Sequence, residues 1–471
     1  MKNLIANEWV DSRNRKVINV YNPFNRGIID TIPDSTINDV NKAVSISKDS
    51  FKTWRLSSFE QRVNIFNKFL QLLRTEKKDL AILFSKESGM VIKESLEQID
   101  NIRYIVSSIV ESAKDILFVR NERYGNTIEV NMYEALGVVG VVLSSCDIIY
   151  SFCYKVFSSL IMGNTVVIKP SELVPLTVTK LAYLLRLAGI PEGVIGVIHG
   201  DGKTVSKNLA MHPFVKLVSV DGSLKTGLSI RNVTSRKLGK EMLQLNGNDA
   251  LILCSDGDVS KAVDFTIKSR LSNNGQSSIG PKRFIIHEDV KEEYLTKLFA
   301  SLRMVRVGDA LDNTNMVSAL VSEKRAKEVE MYVNKTIKEG AELLYGGHRY
   351  SAMYEPTVLY NIDKNMSIMK TTEVLGPVFP IITFNNIEEA FSIANNIPFG
   401  INNYIFTNST DIVFKFMNNL ESSSVIVNAN KDKYVYNSYF GGWKLSSNNS
   451  GGLEELLKSF CIHRKVILEN E

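Results

Sequence analysis

The sequence predicts an α/β protein with two parallel-sheet domains and a small antiparallel element set apart from them. Three patterns carry this expectation. Short apolar runs alternate with helical patterns through the middle of the chain. A second strand–helix alternation runs from about Asp249 to Phe406. The stretch from Glu122 to Met132 alternates polar and apolar residues, which breaks the parallel pattern. A chain of 471 residues has room for two or three domains and large cores.

The elements follow in order. Ile37 to Glu97 carries apolar residues at helical spacing, with Asp39, Ser57 and Thr75 as candidate caps. Around Tyr124-Gly125-Asn126 the alternation reads as a hairpin. Thr165 to Lys169 is a buried strand, and Pro175 to Leu187 a helix. Val194 to Ile198 is a strand, Thr204 to Met211 a helix, and Leu217 to Val220 a strand. A helix starts near Leu224, and Met242 to Leu245 is again a strand. Such β–α alternation predicts a parallel sheet covered on both faces. The C-terminal run Ile462 to Leu468 is a strand with no local partner, so a hairpin or another subunit must supply its edge. No internal repeat, low-complexity segment or long linker interrupts the chain.

Composition excludes several classes. Hydrophobic residues make up 44% and charged residues 23%, a balance ordinary for soluble proteins. The net charge of +5 is not gathered in any run, which argues against nucleic acid or a membrane surface as partner. The N-terminus has no apolar signal core, and the longest apolar stretch, Ala135 to Leu143, is too short to span a bilayer. The four cysteines and five histidines lack metal-site spacing, so no metal is expected. A reducing, cytoplasmic setting fits. Gly200-Asp201-Gly202-Lys203-Thr204 hints at a phosphate loop, but Val197 stands where its first glycine belongs.

Chemistry concentrates in five segments. The loop Asn273-Asn274-Gly275-Gln276-Ser277-Ser278 leads to Pro281-Lys282-Arg283-Phe284. The others are Gly163 to Glu172, Gly222-Ser223 with Gly227, Glu373-Val374-Leu375-Gly376-Pro377-Val378, and Phe440-Gly441-Gly442-Trp443-Lys444 with Ser446. In this order, over essentially the whole chain, they resemble the motifs of the aldehyde dehydrogenase superfamily, in outline nearest its semialdehyde and betaine-aldehyde branches. The resemblance implies an aldehyde dehydrogenase-like fold. A Rossmann-type NAD-binding domain would span 1–118 and 138–246, and a second α/β catalytic domain 247–445. A small β oligomerisation element would span 119–137 and 446–471. It further implies a homodimer or homotetramer whose C-terminal strand extends a neighbour's sheet.

For the cofactor, a helix beginning at Gly222-Ser223 offers free N–H groups and a positive dipole end to a pyrophosphate. By resemblance, Lys169 and Glu172 would hold the adenosine ribose and Glu373 the nicotinamide ribose. A carboxylate at Glu172 would repel a 2′-phosphate, so NAD is expected rather than NADP. Two departures work against binding. Asp221 brings a negative charge beside the phosphates, and Leu375 replaces a phenylalanine of the family motif near the nicotinamide.

For the chemistry, the family uses a cysteine nucleophile, a glutamate that activates water, and an oxyanion site made of an asparagine amide and a backbone N–H. The matching positions here are Ser278, Gln244 and Cys146. Each replacement removes one ability. Serine ionises far less readily than cysteine, glutamine accepts no proton, and a thiol is a weak hydrogen-bond donor. The Asn246 and Leu375 departures and the Ser144-Ser145-Cys146 run point to natural divergence, with engineering of one or two positions an open alternative. Cys146 allows two readings, a displaced nucleophile or a small buried residue.

Three functions follow. The first is an impaired family member that keeps its cofactor cleft. The second is an active NAD-dependent oxidoreductase on a small aldehyde or semialdehyde. The third is a structural or regulatory subunit. A hydrolase working through Ser278 ranks last, because the sequence offers it no base.

Overall fold

The computed structural model describes residues 1–117, 120–124, 126–370, 373–430, 441–449 and 451–469. Gly125 of the expected hairpin turn and Phe440 of the last motif lie outside them.

The first sheet is built on β-branched runs. Its parallel strands lie in the order Lys240–Gln244, Val215–Asp221, Val138–Val142, Thr165–Lys169 and Ile195–Val197. Asn3–Ile5 and Glu8–Val10 add an antiparallel edge. Both faces are covered, as the unbroken apolar runs require. Val139 and Val141 face one core, while Val138 and Val142 face another. Between them Gly140 makes room for Leu209, whose Cγ would lie 2.9 Å from an added Cβ.

In the second sheet Val378–Phe384, Arg283–His287, Ala250–Leu253, Asn402–Phe406 and Ser424–Val427 run parallel. Thr357–Tyr360 continues the parallel set, and Glu342–Tyr345 pairs with it antiparallel. Ala250 and Ile252 enter one core, Leu251 and Leu253 the other. Cutting one such residue to alanine typically costs about 2–5 kcal/mol.

The helical N-terminal region holds, but its caps differ from expectation. Thr36, not Asp39, caps the helix Ile37–Trp54; Asp39 sits three residues in and accepts from Thr36 N at 2.8 Å. Ser58, not Ser57, caps Phe59–Ser88, with its hydroxyl accepting from Gln61 N and Gln61 answering to Ser58 N. Ser57 instead binds the Arg62 guanidinium, and Thr75 lies inside the helix. In both cases the capping residue is the one whose third successor can return the bond.

The hairpin pairs Arg120–Tyr124 with Thr127–Ala135. The C-terminal strand Cys461–Glu469 lies antiparallel on Thr127–Ala135 of the same chain, from Cys461 opposite Ala135 to Glu469 opposite Thr127. The edge the terminal strand needed is therefore supplied by its own hairpin. Among the described residues no helix is long and apolar enough to cross a membrane.

Candidate active site

The loop 272–280 follows the helix Val259–Leu271. Asn273 and Asn274 take left-handed backbone angles, which asparagine tolerates better than most residues. Asn274 then serves as an anchor: its amide donates to Gly89 O and Ala319 O and accepts from Ser318 N. Gly275 has φ +79°, and an added Cβ would stand 2.3 Å from the carbonyl carbon of Gly376. The loop therefore presses directly on the Glu373–Pro377 segment. Buried Arg270 clamps the pair, donating to Gly275 O, Val374 O and Val378 O. Lys282 closes the far end by donating to Ser278 O and Gly280 O at 2.7 and 2.8 Å.

These contacts shape a cavity of about 280 Å³ between the C-terminal ends of the first sheet's strands and the N-terminal ends of the second sheet's. Cys146, Gln244, Ser278, Gly222, Ser223 and Glu373 all line it. Lys169 and Glu172 stand apart as an ion pair at 2.7 Å, at the end of the strand Thr165–Lys169.

The sequence reading missed the residue that dominates the centre. Asp147 follows Cys146 and has φ +48°, a left-handed angle that aspartate adopts at some cost. Its Oδ2 accepts from Ser278 N at 2.7 Å and from Ser278 Oγ at 2.6 Å. The expectation that Ser278 lacks a base is therefore corrected, because a carboxylate sits on its hydroxyl. The same oxygen holds the Ser278 N–H, the backbone donor that an oxyanion would need. Base and oxyanion site compete for one place, and the carboxylate fills it.

Cys146 offers little in compensation. Burial pushes its thiol up to about 12, with Glu373 and Asp147 adding to the rise and Arg325 opposing it. The thiol is held toward its protonated form, and Cys146 itself is half-buried on the cavity wall. Gln244, at the end of its strand, carries an amide that takes up no proton.

The cofactor side is also rearranged. The helix Leu224–Thr234 starts at a Ser223 cap whose hydroxyl accepts from Thr226 N. Its first N–H, on Leu224, donates to Asn246 Oδ1 at 2.7 Å, and Asn246 Nδ2 donates to Glu373 Oε2 at 2.9 Å. Asn246 thus ties the helix start to Glu373. The other Glu373 oxygen lies 3.3 Å from the Lys282 ammonium. Burial raises the Glu373 carboxyl, and Lys282 and Asn246 work against that rise. Asp221 forms a buried ion pair with Lys155, which a π-helical turn, Cys153–Phe157, carries toward it.

The comparisons agree on family. The sequence profile of the aldehyde dehydrogenase family matches residues 9–466. The chain belongs to the aldehyde dehydrogenase family. A lactaldehyde dehydrogenase of Methanococcus aeolicus is 29% identical, over 99% of this chain and all of its own. An NAD-dependent aldehyde dehydrogenase from Sinorhizobium meliloti superimposes with a TM-score of 0.96 at 26% identity, covering 99% of this chain and 94% of that one. A betaine aldehyde dehydrogenase from Staphylococcus aureus, solved with NAD+, gives 0.94 at 25%, covering 99% and 95%. The aldehyde dehydrogenase fold expected from the motifs is the fold observed. Within this pocket, Asp147 occupies the Ser278 N–H and hydroxyl, and Asn246 occupies the Leu224 N–H and Glu373. Asp147 directly follows the Ser144-Ser145-Cys146 run and Asn246 lies two residues past Gln244, so the charge of Asp147 was the signal available in the sequence.

Proposed function

We propose that this aldehyde dehydrogenase-family protein does not run the family oxidation and instead keeps the cleft as a ligand-binding site. One observation carries the reading: Asp147 Oδ2 accepts both donors of Ser278. An aldehyde carbonyl approaching Ser278 meets a carboxylate where its oxygen would become negative, and like charges at that range repel. Gln244 offers no proton acceptor for a hydrolytic water, and the Cys146 thiol is protonated. The roles assigned to Ser278, Gln244 and Cys146 belong to this proposal.

The family relatives support a nicotinamide cofactor, and the residues fit it only at one end. Lys169 and Glu172 would meet the adenosine ribose. The phosphate and nicotinamide end does not fit. The Leu224 N–H is taken by Asn246, Glu373 is held by Asn246 and Lys282, and Asp221 adds a carboxylate beside the helix start. No step is therefore routed through the cofactor. NAD, preferred over NADP because of Glu172, would be held weakly and by its adenosine end.

Self-association belongs to the same proposal. The strand Cys461–Glu469 shows Ile462, Val466 and Leu468 on one face, half-exposed. A homodimer or homotetramer would cover them. A regulatory subunit assembling with an active relative would use the same face.

The test is an assay of small aldehydes and semialdehydes with NAD+ and NADP+, followed as reduced cofactor. No turnover above an Asp147→Ala, Ser278→Ala control is expected. Turnover by the native chain with any aldehyde would remove the reading.

A further inference from the structure

Outside the cleft, Lys237 carries an amine that the fold holds in place. The helix Leu224–Thr234 ends in a 3₁₀ turn, Ser235–Lys237, and Leu238 follows with φ +51°, a left-handed angle that leucine adopts at a cost. The half-buried Lys237 side chain runs back along Gly239, where an added Cβ would stand 2.8 Å from Lys237 Cε. Its nitrogen donates to His212 O at 2.7 Å and to Val215 O at 3.0 Å. Both carbonyls lie at the corner between the helix Lys207–Met211 and the strand Val215–Asp221.

Two carbonyls suit a neutral amine as well as an ammonium. An –NH₂ group keeps two N–H donors, so losing the third proton breaks neither bond and leaves a lone pair directed away from the carbonyls. The surroundings favour that loss. Burial and the Lys216 charge push Lys237 down to about 8. At the same corner Lys48 Nζ lies 3.7 Å from the centre of the Phe214 ring, and the His212 ring packs on Phe214 at 5.4 Å. Burial and the Lys237 charge push His212 down in turn. Among the described residues Lys48, Lys216 and Lys237 form no ion pair. An anion arriving here meets uncompensated positive charge.

We propose that Lys237 is an acylation site whose donor is an acyl phosphate. Lys237 Nζ attacks the acyl carbon, the C–O bond to phosphate breaks, and phosphate leaves with the electron pair. The nitrogen gives one proton to water and becomes an amide nitrogen with a single N–H. One of the two carbonyls then loses its donor, so acylation loosens the corner from which the strand Val215–Asp221 starts. The inference is independent of how the cleft is read.

The full chain treated with acetyl phosphate near pH 7.5, with its peptides followed by mass spectrometry over time, tests this. Lys237 should acetylate about tenfold faster than the exposed Lys42 and Lys324, because far more of it is neutral at that pH. Excess inorganic phosphate should slow Lys237 more than Lys42. Lys216→Gln should slow Lys237 several-fold, by raising its proton affinity and weakening the pull on the donor. The fall in melting temperature on acetylation should be smaller in Lys237→Arg, which keeps donors for both carbonyls and does not acylate. Equal rates at Lys237 and Lys42 would overturn the site and leave Lys237 as an ammonium that caps the corner. Unchanged acetylation of Lys237 in folded Lys216→Gln would overturn it too, and an equal fall in melting temperature in both proteins would overturn the loosening.

Discussion

The side-chain amide of Asn246 donates to the carboxylate of Glu373 at 2.9 Å, across 127 positions of sequence. With its other end on Leu224 N, this amide spans the place where a dinucleotide would need both the helix start and the carboxylate.

Cutting that strut should open the site. Asn246→Gly combined with Asp221→Ser is expected to tighten NAD binding about tenfold or more, which is about 1.4 kcal/mol. Because Asp221→Ser strands the buried Lys155, the double variant should also lose about 3–5 kcal/mol of stability. Titration of NAD and thermal unfolding of both variants check the two halves. Unchanged NAD affinity in a folded Asn246→Gly would show that the amide is no obstacle.

Restoring the family side chains should not suffice. Ser278→Cys with Gln244→Glu and Cys146→Asn leaves Asp147 on the residue 278 N–H. We expect that triple variant to stay near background, and Asp147→Ala added to it to raise aldehyde oxidation about 100- to 1,000-fold, the worth of one oxyanion donor. Initial rates with saturating cofactor decide it.

Thiol chemistry should be quiet. Burial pushes Cys146, Cys254 and Cys461 up to about 12 and Cys153 upward as well. The thiolate is the reactive form. Iodoacetamide near pH 7.5 should therefore leave native protein unlabelled, and all four sites should label in denaturant. Intact-mass spectrometry reads this directly, and selective native labelling at Cys146 would revive its nucleophile reading.

Stability should rise on mild acidification. Burial lifts Glu87 and Asp249 to about 7 in the folded chain. A carboxyl raised above its unfolded value binds its proton more readily when folded, so its contribution is present at low pH and is lost as pH rises. The window runs from about pH 4 to about pH 7. Melting at about pH 5.5 should exceed that at about pH 7.5, and Glu87→Gln should reduce the difference.

The exposed face of the terminal strand should govern assembly. Ile462→Asp with Leu468→Asp is expected to shift the protein to a monomer, measured by light scattering, with the melting temperature little changed. An unaltered mass would place any interface elsewhere.

Much of this architecture could be read before any coordinates. Unbroken β-branched runs such as Thr165-Val166-Val167-Ile168 leave few alternatives to a buried parallel strand, and the motif order located Ser278, Gln244, Cys146 and Glu373 on one cavity. The contacts that change its chemistry were not legible. Asp147 meets Ser278 from 131 positions away, and its importance depends on a left-handed backbone angle no local pattern announced. Asn246 was visible as a departure, but its effect depends on reaching two partners at once. The helix caps were misplaced by one to three residues because Ser57 and Ser58 are equivalent until Gln61 chooses between them.

The segment around Ser446 sets how any ligand arrives. Ser446 O accepts from Leu245 N, and its hydroxyl donates to Asn246 O and accepts from Gly400 N. Asn448 and Ser447 bind Leu243 on the neighbouring strand. One short stretch of chain thus stitches the rim of one sheet to the rim of the other, at the floor of the cleft. The halves behave as a vice with its screw tightened rather than a jaw on a hinge. The two rims are held to each other there, so the width of the cleft should change little when a ligand enters.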